Sequence, residues 1–349
     1  MPPQAHFLTA HVGSVPHTES RAICDLLVEQ LDLPAWPQHP RRTFRENMYV
    51  QYSLRLPGAV VDDTQERIYF DTGPDLIPAL EAFYEHYLAD DVAWFGLTPD
   101  YARGFFAMLE ALPAGDGWAK GQVTGPISLG LTVTDQGLRS ILYHPDLADA
   151  VVKNAAMNAR WQVQQLKQRR SDIVIFVDEP YMASFGSAFI SLERAQAITM
   201  LDEVFSAIHQ EGALAGVHCC ANTDWSVLLA TQVDILNLDS FGFVENLALY
   251  PDELRAFLDR GGWIAWGSIP NNEGITEHTP EALARRLHEG MRLIAGRAAR
   301  RGVAIDVSEL ATRSLLTPSC GLGSTTVDTA EQVLRALKPT AEMLRQSVG

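Results

Sequence analysis

Short apolar runs that break at glycine, proline or a polar residue recur along the chain, and most are followed by segments with apolar positions three and four apart. Eight such runs read as strands: Phe7 to Ser14, Val92 to Leu97, Ala119 to Pro126, Ile173 to Pro180, Leu214 to Cys220, Ile235 to Ser240, Trp263 to Pro270 and Ser314 to Cys320. Helical periodicity fills Pro145 to Arg169, Ser191 to Gln210, Pro251 to Arg260 and Pro280 to Arg301. Strand and helix therefore alternate, and runs that are apolar throughout predict a parallel sheet covered on both faces. Eight parallel strands close as a (β/α)8 TIM barrel, with an open doubly wound sheet as the second arrangement. The position of the polar residues favours the barrel. Ser14, Asp178-Glu179, His218 with Cys220, Asp239 and Cys320 finish strands, and the C-terminal rim is where barrels build their sites.

The connection after the first strand breaks this rhythm. Residues 15–90 hold Trp36-Pro37, the basic and aromatic run Arg41 to Tyr49 and a Pro57-Gly58 turn. The barrel is thus expected to carry a long insertion after the first strand, either a lid or wall at the rim or a surface excursion with helices of its own. There is no internal repeat, low-complexity tract or linker, so one domain over 1–349 is expected.

Composition narrows the partners. A net charge of −16 on 349 residues gives neither phosphate backbone nor anionic headgroups anything to gain, which leaves a small molecule or a protein as partner. The stretch Met1 to His6 lacks the basic and apolar regions of a signal peptide, and no apolar run reaches the ~18 residues of a membrane span, so a cytoplasmic location is expected. The four cysteines are too few for a disulfide framework. Cys24, on a helical segment, reads as a small buried residue.

The remaining thiols carry the chemistry. On a strand, His218 and Cys220 point to one face and Cys219 to the other, so the pair is H-x-C. Cys320 ends another strand, and in a closed barrel both ends face one cavity. Two thiolates and an imidazole suit Zn2+, whose catalytic sites take three protein ligands and keep a fourth position open. Asp239, ending the next strand, is a candidate fourth ligand; its plainer reading is a helix N-cap.

Six segments, taken in order, resemble the successive motifs of the C-terminal catalytic barrel of cobalamin-independent methionine synthase: His11-Val12-Gly13-Ser14-Val15-Pro16, Thr124-Gly125-Pro126-Ile127, Val177-Asp178-Glu179-Pro180, His218-Cys219-Cys220, Asp234 to Asp239, and Pro318-Ser319-Cys320-Gly321-Leu322. The resemblance spans nearly the whole chain and implies a zinc-dependent methyltransferase that makes methionine from homocysteine. It implies His218, Cys220 and Cys320 as ligands, with Asp239 where the family normally has glutamate. Ser14 and Asp178 match the residues that hold the amino-acid part of homocysteine, Asp178 facing the ammonium. Glu46 is placed with them only by neighbourhood.

The departures from the family bear on the methyl donor. There is no second barrel, and the seventh-strand motif, Trp266-Gly267-Ser268-Ile269-Pro270-Asn271-Asn272, lacks the family's histidine. The expected donor is therefore methylcobalamin or a corrinoid protein rather than folate, as for the family's single-barrel form. Three alternatives stand beside this reading. A corrinoid-linked methyltransferase would act on another small thiol such as coenzyme M. A uroporphyrinogen decarboxylase-like lyase of the same superfamily would need Arg41, Arg42 and Arg45 as a carboxylate pocket, and a non-enzymatic protein would keep its zinc closed.

Overall fold

The computed structural model describes residues 5–187 and 190–348; of the stretch read above for a targeting signal, residues 1–4 lie outside them. Nine strands occur in chain order: β1 (Leu8–Thr9), β2 (Ala59–Asp62), β3 (Arg67–Phe70), β4 (Gly115–Thr124), β5 (Arg170–Asp178), β6 (Leu214–Cys219), β7 (Ile235–Leu238), β8 (Trp263–Ile269) and β9 (Ser314–Pro318). Seven of them form one curled parallel sheet in the order β1-β9-β8-β7-β6-β5-β4, while β2 and β3 pair as a separate antiparallel hairpin. The architecture is that of a TIM-like barrel.

The two free edges of the sheet, β1 and β4, are joined by residues 33–38. Parallel bridges run from Ala10 to Leu33 on one side and from Lys120 to Ala35 on the other, and Ser14 bridges Gln38. Pro34 and Pro37 each remove a backbone donor, so the segment cannot complete a regular ladder. Side chains compensate. Trp36 Nε1 donates to Gln162 Oε1 (2.9 Å), Gln162 Nε2 to the Gln122 carbonyl (2.9 Å), and Gln122 Nε2 to the Trp36 carbonyl (3.0 Å).

This corrects the second of the eight expected strands. Val92 to Leu97 is a series of turns, not a strand. Val92, Phe95 and Leu97 are nonetheless buried: Phe95 and the half-buried Trp94 meet Phe83 edge-on, with ring centroids 5.3 and 6.2 Å away, and Asn158 donates to the Phe95 carbonyl. A short apolar run signals burial but does not say by what. The order of the connections shifts with it. The helix Ser20–Gln30 alone separates β1 from residues 33–38, and the long excursion follows, through the hairpin and the helices Leu76–Leu88 and Arg103–Ala111.

Elsewhere the periodic segments are helices over Pro145–Leu166, Arg194–Gln210, Pro251–Asp259 and Pro280–Arg300. Three of the four start on proline, whose fixed φ and missing donor suit the first helical turn. The core has two compartments: a large one between sheet and helices, and a small one inside the barrel built from Ala10, Leu33, Val174, Phe176, Ile235, Trp263, Ala265 and Leu315. Burial on both faces is why β5 to β8 read as unbroken apolar runs. Among the described residues no helix is long and apolar enough to cross a membrane.

Candidate functional site

At the rim, β6 delivers His218 and, one residue past its end, Cys220, while the turn after β9 delivers Cys320. The ligand atoms of these three residues all lie within 4.8 Å of one another, and Cys320 Sγ is 3.8 Å from His218 Nε2. Neighbouring ligand atoms on a tetrahedral zinc are about 3.5–3.8 Å apart, given bonds of about 2.0–2.3 Å, so the donor set fits that ion in kind and the Cys320–His218 separation fits it in spacing. Cys219 faces away, as alternation requires. It is fully buried with its Sγ 3.5 Å from the Ala221 carbonyl, and burial pushes its thiol up to about 12.

The two rim thiols are not equivalent. A hydrogen bond from Cys320, followed by the effect of His218, lowers the Cys220 thiol to about 4, and the same bond pushes Cys320 far above the ordinary thiol range. Cys220 is thus the thiol that ionises the more readily of the two.

A cavity of about 430 Å³ opens beside the trio, and Ser14, Asp178, His218, Cys220 and Cys320 all line it. Asp178 ends β5 and is only 7% exposed, and its Oδ1 is buried without a hydrogen-bond partner. Burial raises its pKa to about 6. An orphaned carboxylate oxygen on the wall of a cavity is a costly arrangement unless a cationic or donor ligand completes it. Ser14 lies opposite, where its Oγ accepts from the Gly323 backbone N–H (3.3 Å) and its carbonyl from Leu322 (2.9 Å). Gly321 is required there, because a Cβ would stand 2.3 Å from Ser14 Oγ.

Glu179 explains why the Asp-Glu-Pro and Thr-Gly-Pro-Ile segments both exist. Its carboxylate is fully buried and accepts from the backbone N–H groups of Ile127 (3.0 Å) and Ser128 (2.7 Å) and from Ser128 Oγ (2.6 Å), at the start of the helix Pro126–Thr132. A Cβ at Gly125 would come within 2.2 Å of that carboxylate. Glu179 is thus a brace that fixes the β5 end on which Asp178 sits. Glu179→Ala, which strands these donors, is expected to cost about 3 kcal/mol, and Glu179→Gln markedly less; urea unfolding midpoints check both.

Other expected residues have different placements. Asp239 caps the helix Ser240–Leu247 by accepting from the Gly242 N–H (2.8 Å), and it is not in the group whose ligand atoms converge. Its Oδ1 thereby satisfies a helix donor that would otherwise be orphaned. Glu46 borders the cavity but is 1% exposed with both oxygens engaged: Oε1 by Arg42 (2.8 Å) and the Arg103 N–H (3.2 Å), Oε2 by the His39 N–H (2.9 Å). Its carboxylate helps to hold the wall of the cavity. Neither Arg41, Arg42 nor Arg45 lines the cavity, and Arg45 pairs outward with Asp63 (2.7 Å). Gln38, Pro40 and the stretch Glu46 to Tyr49 do line it, so the connection after residues 33–38 supplies a wall of the pocket.

Two residues went unread in the sequence. Lys120 on β4 is fully buried; its Nζ donates to the Val12 carbonyl (2.6 Å) and Gln122 Oε1 (3.3 Å), lies 4.5 Å from the Phe176 ring centroid, and is depressed to about 8 by burial. Asn237 on β7 accepts from His218 Nδ1 (2.6 Å). Their signal was a polar residue inside an apolar strand, Lys120 in Trp118 to Thr124 and Asn237 in Ile235 to Leu238.

No family model and no curated protein sequence matches the chain. Among solved structures, a B12-independent methionine synthase from Shewanella sp. W3-18-1 in complex with selenomethionine superposes with a TM-score of 0.58 at 16% identity, covering 98% of both chains. The likeness is one of fold. A methyltransferase from Methanosarcina mazei gives a TM-score of 0.48 at 12% identity, over 97% of this chain and 94% of the other.

Proposed function

We propose that the protein is a zinc-dependent methyltransferase acting on the thiol of homocysteine, with methylcobalamin or a corrinoid protein as methyl donor. The observation that carries this reading is the meeting, in one cavity, of a His-Cys-Cys donor set with a buried carboxylate that lacks a partner. Residues 33–38 are read with it as the second of eight barrel strands, and the wall from Pro40 to Tyr49 as the side from which the donor approaches.

His218, Cys220 and Cys320 would hold the zinc, and a zinc bound there holds a substrate thiol as its thiolate at neutral pH. The chain's own residues then set specificity. Asp178 receives the substrate ammonium, which supplies the missing partner of Oδ1 and offsets the cost of keeping the carboxylate charged in a buried place. Ser14, with nearby backbone N–H groups, meets the carboxylate. Holding both ends of the amino acid fixes the direction of the sulfur lone pair, which is the alignment an in-line displacement needs. In that displacement the sulfur pair forms the new S–CH3 bond, and the bond to the donor breaks with its electrons left on the donor. A corrinoid takes that pair on cobalt and needs no proton, whereas a folate amine leaves well only when protonated. The seventh-strand segment that carries a histidine in the resembled family has none here.

Coenzyme M carries a sulfonate and no ammonium, so Asp178 disfavours it, and a cavity lining without Arg41, Arg42 or Arg45 disfavours a porphyrin decarboxylase. Incubating the zinc-loaded protein with homocysteine and either methylcobalamin or methyl-folate is expected to give methionine, detected by mass spectrometry, with the first donor only. Methionine from methyl-folate alone overturns the donor, and methylated coenzyme M with no methionine overturns the acceptor.

A further inference from the structure

The ring of His218 has two nitrogens, and only one faces Cys320. Its Nδ1 is 2.6 Å from Asn237 Oδ1, and its Nε2 is the atom 3.8 Å from Cys320 Sγ. An asparagine side chain can present either end to a histidine, so the question is what fixes this one. Asn237 Nδ2 lies 2.7 Å from the Ala265 carbonyl and 2.9 Å from Thr317 Oγ1. A carbonyl only accepts, so the NH2 end of the amide must face β8 and the oxygen must face the imidazole. Asn237 and Thr317 are fully buried, so no water competes for these bonds. The Oδ1 atom only accepts, and hence Nδ1 carries the hydrogen, leaving the Nε2 lone pair for the position shared with Cys220 and Cys320.

We infer that Asn237 is a positioning residue for the metal centre: anchored across the barrel to Ala265 and Thr317, it selects the Nδ1–H form of His218 and aims Nε2 at the two thiols. The inference rests on the zinc reading above and adds to it a residue from outside the ligand set. The barrel interior supplies the reason for an amide at this point. β6, β7, β8 and β9 are successive neighbours in the sheet, and the side chain of Asn237 spans from His218 on the first to Thr317 on the last. The Cys320 turn is registered independently of it. There, Ser319 Oγ donates to Asn271 Oδ1 (3.0 Å) and Asn271 Nδ2 to the Gly321 carbonyl (3.1 Å), so both neighbours of Cys320 are tied to the end of β8.

The test is zinc affinity by chelator competition in the full chain, with ligand counting by X-ray absorption. Asn237→Leu, which keeps the volume and removes the acceptor, is expected to lower affinity by about 10–100-fold, the usual effect of removing a group that orients a ligating histidine. Asn237→Asp keeps the acceptor toward His218 but turns its second oxygen to the Ala265 carbonyl, so it is expected to fall between the unaltered protein and the leucine variant. Thr317→Val, which removes one of the two anchors, is expected to give a smaller loss and serves if the leucine variant does not fold. Equal zinc affinity in the unaltered protein and in folded Asn237→Leu, or an aspartate variant as weak as the leucine one, overturns the inference while the metal site stands. Absence of zinc binding by the unaltered protein overturns both.

Discussion

Cys320→Ser is expected to yield a folded protein that retains neither zinc nor methyl transfer. Cys320 lies beyond the last residue of β9, partly exposed at the rim, and contributes nothing to either core compartment. Circular dichroism and the unfolding midpoint should therefore change little. The loss falls on the metal. A hydroxyl is a poor substitute for a thiolate, and with structural zinc sites worth about 10–16 kcal/mol over four ligands, deleting one should cost about 3 kcal/mol or more, roughly a 100-fold drop in affinity. Cys220→Ser should behave alike. Metal content by mass spectrometry after dialysis reads both, and full zinc occupancy in either variant would refute the assignment of ligands.

Asp178→Asn should separate stability from activity. In the unliganded protein the carboxylate is buried with Oδ1 unpartnered, and burial holds its pKa at about 6, above its unfolded value. Between roughly pH 4 and 6 the folded state keeps a proton that the unfolded chain releases, so this group lowers stability as pH rises through that window, and the deficit is complete above it. The amide variant has no such deficit. The variant also removes the anion that steadies the buried Lys120 ammonium, so the readable effect is the pH dependence: relative to the unaltered protein its stability should rise between pH 4.5 and pH 7.5, by about 1 kcal/mol or more, in melting curves taken at both. Activity should move the other way. Loss of a charge-assisted contact with an ammonium is expected to reduce kcat/KM by roughly 10–100-fold, mostly through KM, because the contact is made equally before and during transfer. A stabilised variant with unchanged kcat/KM would remove Asp178 from the substrate site.

The sequence carried the alternation of strand and helix because strands buried on both faces must be apolar throughout, and seven of the eight expected strands stand in one parallel sheet. It missed residues 33–38 because two prolines in six residues read as a loop. Only the barrel around them, with β1 on one side and β4 on the other, makes an irregular segment serve as a strand. Val92 to Leu97 misled for the converse reason, since aromatic packing buries a turn as completely as a ladder buries a strand. At the site, the period of two separated Cys220 from Cys219 before any coordinates. For Asp239 and Glu46 the sequence showed only a neighbourhood, and their local partners come from the fold: one caps a helix, the other is held by Arg42 and two backbone donors. Asn237 and Lys120 were visible as polar interruptions, but their roles depend on partners on other strands.

The pairing of β1 with β9, Leu8 to Leu315 and Thr9 to Leu316, has a consequence for how the molecule comes into being. The first strand of the chain rests on the last, and Ser14 and Cys320 follow those two strands at the rim. During synthesis a ribosome-bound chain can hold His218 and Cys220 long before it has a third donor, 102 residues from the histidine. Pairings this distant in sequence are slow to form and are made late. On the zinc reading proposed above, metal capture would mark a finished barrel, and an ion held across β6 and the β9 turn would act as a clasp between parts of the chain made far apart in time.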